Sequence, residues 1–263
     1  MEYTERFWNI PQRSKGMSKQ PKFSIITITY NAAPVIEPTL QSVLSQTYAN
    51  YEYLLIDGGS KDDTVAKAKA SGIEFAHIVS EPDNGLYDAM NKGIALATGD
   101  YLCFLNAGDA FYAPDTLQTI ANAATAEDEL PDVLYGETAE VDEARNFVRM
   151  RRLQAPKQLT WRSFKSGMMV CHQSFYAKRE IAPMYDLKYR LSADVDWCIK
   201  VMKKAKKLVN VNATVVNYLQ NGLSLQHHRA SLKERFRIMS KHYGLLPTIG
   251  RHIWFVIRAV IKR

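Results

Sequence analysis

From Phe23 to Asp109, short apolar runs alternate with amphipathic stretches, and three of the runs stop at a turn carrying a polar or acidic group. They are Phe23-Ser24-Ile25-Ile26-Thr27-Ile28-Thr29-Tyr30-Asn31, Tyr53-Leu54-Leu55-Ile56-Asp57-Gly58-Gly59-Ser60 and Tyr101-Leu102-Cys103-Phe104-Leu105-Asn106-Ala107-Gly108-Asp109. A continuous apolar run bounded by turn residues reads as a strand buried on both faces of a parallel sheet. Strands are predicted at 23–29, 53–56, 74–79 and 101–105, and helices at 34–45, 64–70 and 88–97. Such alternation folds as βαβ units around a parallel sheet. Ligands of an open α/β sheet sit beyond the carboxyl ends of its strands. Asn31, Asp57 and Asp109 are therefore expected to face one crevice, where carboxylates suit base or ribose contacts and a divalent cation.

Past residue 109 the pattern weakens. A helix is expected from Pro114 to about residue 124, and a strand opens at Val133-Leu134-Tyr135-Gly136. Arg145, Arg149, Arg151 and Arg152 then fall close together, in added strands and loops suited to completing a substrate pocket. With 263 residues, one α/β domain with appended elements is the expected organisation. The net charge of +7 favours anionic partners without choosing among them. Cys103, Cys171 and Cys198 form no CxxC pair and read as buried free thiols of a reducing compartment. Residues 1–20 lack the apolar core of a signal peptide, and no stretch has the ~18 apolar residues of a membrane span. A cytoplasmic protein is expected.

Several polar strings carry chemistry. In Asp57-Gly58-Gly59-Ser60 the glycines permit a tight turn and close backbone approach to a ligand. Asp57 there either meets a base N–H or ribose hydroxyl, or caps the following helix. Ser60 is a natural N-cap for that helix, with Asp62 and Asp63 near its start. In the string from Glu81 to Gly93, Asp88, Asn91 and Lys92 share one helix face. That face either contacts a diphosphate or nucleoside, or is simply solvated. In Asn106-Ala107-Gly108-Asp109, a carboxylate just past a buried strand is costly unless it binds something. Its natural occupant is Mg²⁺ or Mn²⁺ bridging a nucleotide diphosphate; the plainer reading is a turn Asp bonding its own backbone. His172 opens an apolar segment, where a lone His is more often a core residue than a ligand. Asp194 and Asp196 lie in the first turn of a helix opened by Ser192, either as dipole-favoured acids or with one acting as a catalytic base. Two residues apart on a helix, they point in different directions, so only one is expected to face the crevice.

Taken in order, these strings resemble glycosyltransferase family 2, the inverting enzymes of the GT-A fold, over about residues 23–222. The likeness is strongest to the bacterial subgroup that builds exopolysaccharide and O-antigen units, the colanic acid glycosyltransferases among them. The resemblance implies a Rossmann-like, mostly parallel central sheet flanked by helices, with an acceptor-side extension and a C-terminal amphipathic helix. It implies a leader at 1–20, a GT-A domain at 21–225 (nucleotide half 21–112, acceptor half 113–225) and a basic helical region at 226–263. Thr29, Tyr30, Asn31, Asp57, Asp83, Asn84, Lys92, Asn106 and Ala107 would border the nucleotide-sugar, with uridine as the nucleoside. Asp109 matches the metal position of the family's acidic motif, although Asn106 and Gly108 stand where acids are common; His172 joins it near the Mg²⁺ or Mn²⁺. Asp194 matches the general base better than Asp196. The implied reaction is a single displacement with inversion at the anomeric carbon, in polysaccharide biosynthesis.

The segment from Arg251 to Arg263 is apolar and basic, with Arg251, Arg258 and Lys262 on one helix face. Too short to span a bilayer, it suits a helix lying on an anionic membrane, at the inner face of the cell membrane. That contact would suit a polyprenyl-diphosphate-linked acceptor as well as a soluble glycan. The plainer reading is a terminal helix docked on the core or on a second subunit. Two rival functions stand beside transfer: a sugar nucleotidyltransferase, although Asn31-Ala32-Ala33-Pro34 has neither the Gly nor the Lys of such a loop, and a non-catalytic nucleotide-sugar binding module. No nucleic-acid motif is present, so no nucleic-acid partner is expected.

Overall fold

The structure is a computed structural model that describes residues 20–220 and 228–261. The leader at 1–20, apart from Gln20, and the C-terminal Lys262 lie outside the described residues. Strand β1 (Phe23–Thr29) is buried along its whole length, as a central parallel strand must be. It pairs in parallel with β2 (Tyr51–Asp57) on one side and β4 (Tyr101–Phe104) on the other, while β3 (His77–Ser80) adds in parallel beyond β2. Helices α1 (Ile36–Leu44), α2 (Thr64–Ala70) and α3 (Leu86–Leu96) make the crossovers.

Side chains alternate across the sheet with a period of two. Phe23, Ile25, Tyr53, Leu55 and Cys103 fill one face with α1 and α4 (Thr116–Thr125). Ile26, Ile28, Leu54, Ile56 and Phe104 fill the other with α3 and α5 (Ala193–Lys204). Ile25 and Ile26 are 0% exposed, each burial contributing roughly 1.5–3 kcal/mol.

The second half of the sheet is mixed. The order β3-β2-β1-β4 continues through β8 (Phe175–Lys178), β6 (Val133–Val141), β9 (Leu208–Leu219) and β5 (Ala110–Phe111), with β7 (Phe147–Met150) paired to β6. Of these pairings only β6 with β9 is parallel. The chain leaves β1 toward β2 and β3, then returns to lay β4 on the opposite side. The crevice between the ends of β1 and β4 is thus the topological switch point, where ligands of such sheets bind.

Among the described residues two C-terminal helices follow, α6 (His228–Tyr243) and α7 (Leu245–Ile261). Ile238 of α6 is fully buried in the α3–α5 core. Glu234 of α6 accepts backbone N–H bonds from Arg190, Leu191 and Ser192, fixing the turn that enters α5.

Local boundaries differ from the sequence expectation where side chains compete for backbone groups. Helix α2 takes Asp63, not Ser60, at its N-cap position, because the Ser60 hydroxyl is turned to the Asp57 carboxylate. Helix α3 begins two residues earlier than expected, at Leu86; Asp88 sits inside its first turn and accepts the Asn84 N–H (2.9 Å).

Candidate active site

The exit of β1 is tied to both neighbouring strand ends. Gly58 N–H donates to the Thr29 carbonyl (2.9 Å) and Ala107 N–H to that of Ile28 (3.2 Å). Asn31, held at φ 48°, donates its N–H to Ser60 Oγ (2.8 Å) and accepts Lys61 N–H on Oδ1 (2.9 Å). Asn is among the few residues that adopt this left-handed conformation readily.

Asp57 is almost fully buried and accepts five hydrogen bonds: from the Thr29, Ser60 and Ser80 hydroxyls and from the Gly59 and Ser60 N–H groups. Burial pushes its pKa up, but the bonds from Ser60, Ser80 and Thr29 outweigh this and hold the carboxyl below its usual range. Its lone pairs are filled by the protein, so a nucleoside N–H must replace one of the rotatable hydroxyls to reach it. Gly58 has no room for a side chain: a Cβ would lie 2.5 Å from Asp83 Oδ2 and 3.4 Å from the Tyr30 ring. That close approach brings Tyr30, which is 65% exposed, and Asp83 together at the mouth of the turn.

The α3 face expected to meet a ligand is largely engaged with its own loops. Lys92 pairs with Glu81 (2.8 Å) and donates to the Pro82 carbonyl (3.2 Å). Asn91 clamps the Tyr185 backbone through both its amide atoms, and Asp88 holds Asn84. These residues shape the crevice wall instead of lining it with free donors.

The loop after β4 is pinned from α1. Buried Thr39 donates to the Asp109 carbonyl (2.6 Å) and accepts Gly108 N–H (2.9 Å). Gly108 has φ 96°, and a Cβ there would meet Leu219 Cδ2 at 2.8 Å, so an acidic side chain at 108 would be strained and would displace Leu219. The Asp109 carboxylate accepts Gln173 Nε2 (2.7 Å) and Leu219 N–H (3.0 Å). Burial raises its pKa to about 7, against the pull of those two bonds and of the Arg145 charge. Asn106 Oδ1 is buried with no hydrogen-bond partner.

His172, expected beside Asp109 at a cation, has different company. Its Nε2 pairs with the Tyr185 hydroxyl, and its ring lies among Phe104, Tyr185 and Trp197. Burial lowers its pKa to about 4, so the imidazole is neutral, although nearby Asp194 pulls the other way. It is the next residue, Gln173, that reaches Asp109.

Asp194 and Asp196 part as helical geometry requires. Asp196 is buried between α5 and α6, paired with Lys200 and His242 (2.7 Å). Asp194 is partly buried and accepts the Tyr87 hydroxyl on Oδ1 (3.1 Å). Burial, and then the Asp194 charge, raise the Tyr87 pKa, so this phenol stays a donor. A chain of contacts links the two acids: Gln173 donates to Asp109, its neighbour His172 pairs with the Tyr185 hydroxyl, the Tyr185 ring stacks on Tyr87 (5.4 Å), and Tyr87 donates to Asp194.

Residues 24–182 match the family model described as glycosyl transferase family 2. The chain belongs to that family. As a family 2 glycosyltransferase it is 31% identical over 242 residues, 90% of each chain, to an uncharacterised glycosyltransferase of Mycobacterium tuberculosis. It is 39% identical over 187 residues to a PGL/p-HBAD biosynthesis glycosyltransferase of Mycobacterium bovis, covering 68% of this chain and 69% of the relative. An amylovoran biosynthesis glycosyltransferase of Erwinia amylovora is 26% identical over 82% of this chain and 75% of its own. Among solved structures, S. aureus TarS in complex with UDP-GlcNAc superposes with a TM-score of 0.67 at 15% identity, over 89% of this chain and 73% of TarS. The Pyrobaculum calidifontis mannosyltransferase in complex with GDP-Man and Mn²⁺ gives 0.59 at 18%, over 88% and 74%. The fold is GT-A.

Sequence reasoning did not single out several residues that build this family 2 site. Thr39, Gln173, Tyr87 and Glu234 come from elements far apart in the chain, and each acts by holding a loop or an acid. Only Gln173 had a local signal, as the neighbour of His172.

Proposed function

We propose that this glycosyltransferase moves a sugar from a nucleoside diphosphate donor, UDP favoured, to a hydroxyl of a glycan or lipid-linked acceptor, with inversion at the anomeric carbon. The reading is supported by the contacts that join Asp109, through Gln173, His172, Tyr185 and Tyr87, to Asp194. Asp194 takes the proton of the acceptor hydroxyl as its oxygen bonds to the anomeric carbon and the bond to the nucleoside diphosphate breaks. Tyr87, by donating to Asp194 Oδ1, orients the carboxylate. Exposed Tyr30 and half-buried Asp83, close together beside Gly58, would meet the base and ribose, with Asp57, Thr29 and Asn31 shaping the turn beneath.

The residues present fit a hard divalent cation. Asn106 Oδ1 is an orphaned buried acceptor, and Asp109 lies three residues beyond it. No group of three or more His, Cys, Asp or Glu gathers among the described residues, but Mg²⁺ takes one or two carboxylates and completes its shell with substrate phosphate and water. When bound there, Mg²⁺ or Mn²⁺ would supply charge to the departing diphosphate. The Mn²⁺ and GDP-Man of the Pyrobaculum enzyme support that assignment, and the UDP-GlcNAc of TarS supports a uridine donor.

A cytoplasmic location at the inner face of the membrane is the matching placement. No described helix is long and apolar enough to cross a bilayer, whereas α7 exposes Leu245, Leu246, Ile249, Ile253, Trp254 and Ile257. An apolar stripe on a basic helix suits an interfacial position, within reach of a lipid-borne acceptor.

A thermal-shift panel of UDP-, GDP- and TDP-sugars, with and without Mn²⁺, tests the reading. A uridine donor should raise the melting temperature most, and more with Mn²⁺. No stabilisation by any nucleotide-sugar would refute it.

A further inference from the structure

Among the described residues, Arg145 has no carboxylate within ion-pair distance, and it stands in a conspicuous place. It lies in the turn joining β6 to β7, with φ 67°, a conformation that side-chain-bearing residues seldom adopt. The turn is firmly built: Arg145 N–H donates to the Asp142 carbonyl (3.0 Å), and the Asp142 carboxylate accepts both Asn146 N–H (2.8 Å) and its side-chain amide (3.2 Å). This backbone directs the side chain across to the loop after β4, where its NH1 donates to the Gly108 carbonyl at 2.6 Å. Among the described residues that is the guanidinium's one hydrogen bond, and no carboxylate lies within ion-pair distance of it. A guanidinium has five N–H donors. A half-buried one with a single hydrogen-bond partner carries a desolvation cost that lowers its pKa and that the Asp109 charge offsets only in part.

The surroundings indicate what would satisfy it. Asp109 is close enough to feel the Arg145 charge, and Asn106 Oδ1 is unpartnered in the same loop. Lys92 of α3 is already paired with Glu81. On the donor reading, a nucleoside diphosphate bound beside Asp109 brings negative charge next to a buried acid and needs a cation supplied by the protein. The planar fork of Arg matches phosphate oxygens in bidentate fashion.

We propose that the Arg145 guanidinium, held on the β6–β7 turn and anchored on the Gly108 carbonyl, binds the diphosphate of the nucleotide donor. This rests on the donor reading above. Arg145 then neutralises part of the leaving group's charge from the acceptor-side half of the sheet, independently of any cation at Asp109.

The test is calorimetric titration of uridine, UMP and UDP, with GDP and TDP as further arms, into the full chain and its Arg145→Gln and Arg145→Lys variants, in EDTA and in Mn²⁺. In EDTA, R145Q should lose at least tenfold in UDP affinity with uridine affinity unchanged, and R145K should fall between R145Q and wild type. Thermal melts of all three proteins identify misfolding; if R145Q does not fold, R145K carries the comparison. Equal losses for uridine and UDP would mean a structural role and overturn the proposal. So would unchanged UDP affinity, or tighter Mn²⁺ binding by R145Q at constant metal-free UDP affinity, which would make Arg145 a plug in the cation site. If the wild-type chain binds no nucleoside diphosphate, the donor reading itself fails and this inference with it.

Discussion

Asp109→Asn should stabilise the ligand-free protein above neutral pH while removing its activity. Burial raises the Asp109 pKa from the ordinary 3.8 to about 7, a shift of about three units, or about 4 kcal/mol at 1.36 kcal/mol per unit. The sign follows from proton counting. Below about pH 4 the carboxyl is protonated in both folded and unfolded chains and costs nothing. Between about 4 and 7 the unfolded chain ionises while the folded site keeps its proton, so folded stability falls as pH rises. Above about 7 the loss is complete. An Asn at 109 keeps an acceptor for Leu219 N–H but presents N–H to the Gln173 amide, which must turn over and give up the Cys171 thiol contact. That adjustment costs about 1 kcal/mol, leaving a net gain of about 3 kcal/mol at pH 8, or about 6–12 °C in Tm for a domain of this size. Thermal melts of D109N and wild type from pH 4 to 8.5, with chelator and without nucleotide, read the difference directly. A gap that opens with pH supports the reasoning. A D109N protein less stable than wild type at pH 8, or a gap independent of pH, refutes it.

Other expectations come from the same contacts. Gly108→Ala places a Cβ 2.8 Å from Leu219 Cδ2 at φ 96° and should cost about 1–3 kcal/mol in chemical denaturation; an unchanged midpoint would contradict the geometry. Asp196→Asn removes the buried partner of His242 and Lys200 and should cost about 3 kcal/mol at pH 7. Although burial opposes it, those partners depress the Asp196 pKa, so its contribution is present above about pH 4 and fades as the solution becomes more acidic; urea titrations at pH 7 and pH 3 should show the gap shrinking. Glu234→Gln weakens the three backbone bonds that set the entry to α5 and should lower kcat more than it changes UDP affinity, whereas equal effects would speak against a positioning role. Phosphatidylglycerol vesicles should float the wild-type chain but not a Leu246→Glu, Ile253→Glu double variant; flotation of both would remove the assignment to α7, and flotation of neither would remove the membrane reading.

The parallel half of the fold was legible because its signals are local. β1 and its βαβ neighbours are apolar runs closed by turn residues, and periodicity alone places them to within a few residues. The mixed half was not, because β8 pairs with β4 and β6 across long separations, and β5 is a two-residue bridge that no window can detect. At the site, the acids could be picked out by type and place, but their allocation depended on partners distant in sequence. Asp194 and Asp196 look alike in a string of residues; a histidine 46 positions downstream of Asp196 distinguishes them. His172 and Gln173 were equally adjacent to the expected cation, and only packing against Phe104, Tyr185 and Trp197 shows which one turns inward. Arg145 was visible merely as one of four clustered arginines, since its reach to Gly108 is set by a turn conformation.

The account centres on Asp194 as the proton acceptor in sugar transfer, and the comparison of Asp194→Asn with wild type in turnover and UDP affinity tests it most directly. With the donor identified by thermal shift, D194N should bind UDP as wild type does while its transfer rate falls 10²–10⁴-fold. A variant that turns over at the wild-type rate would contradict the mechanism.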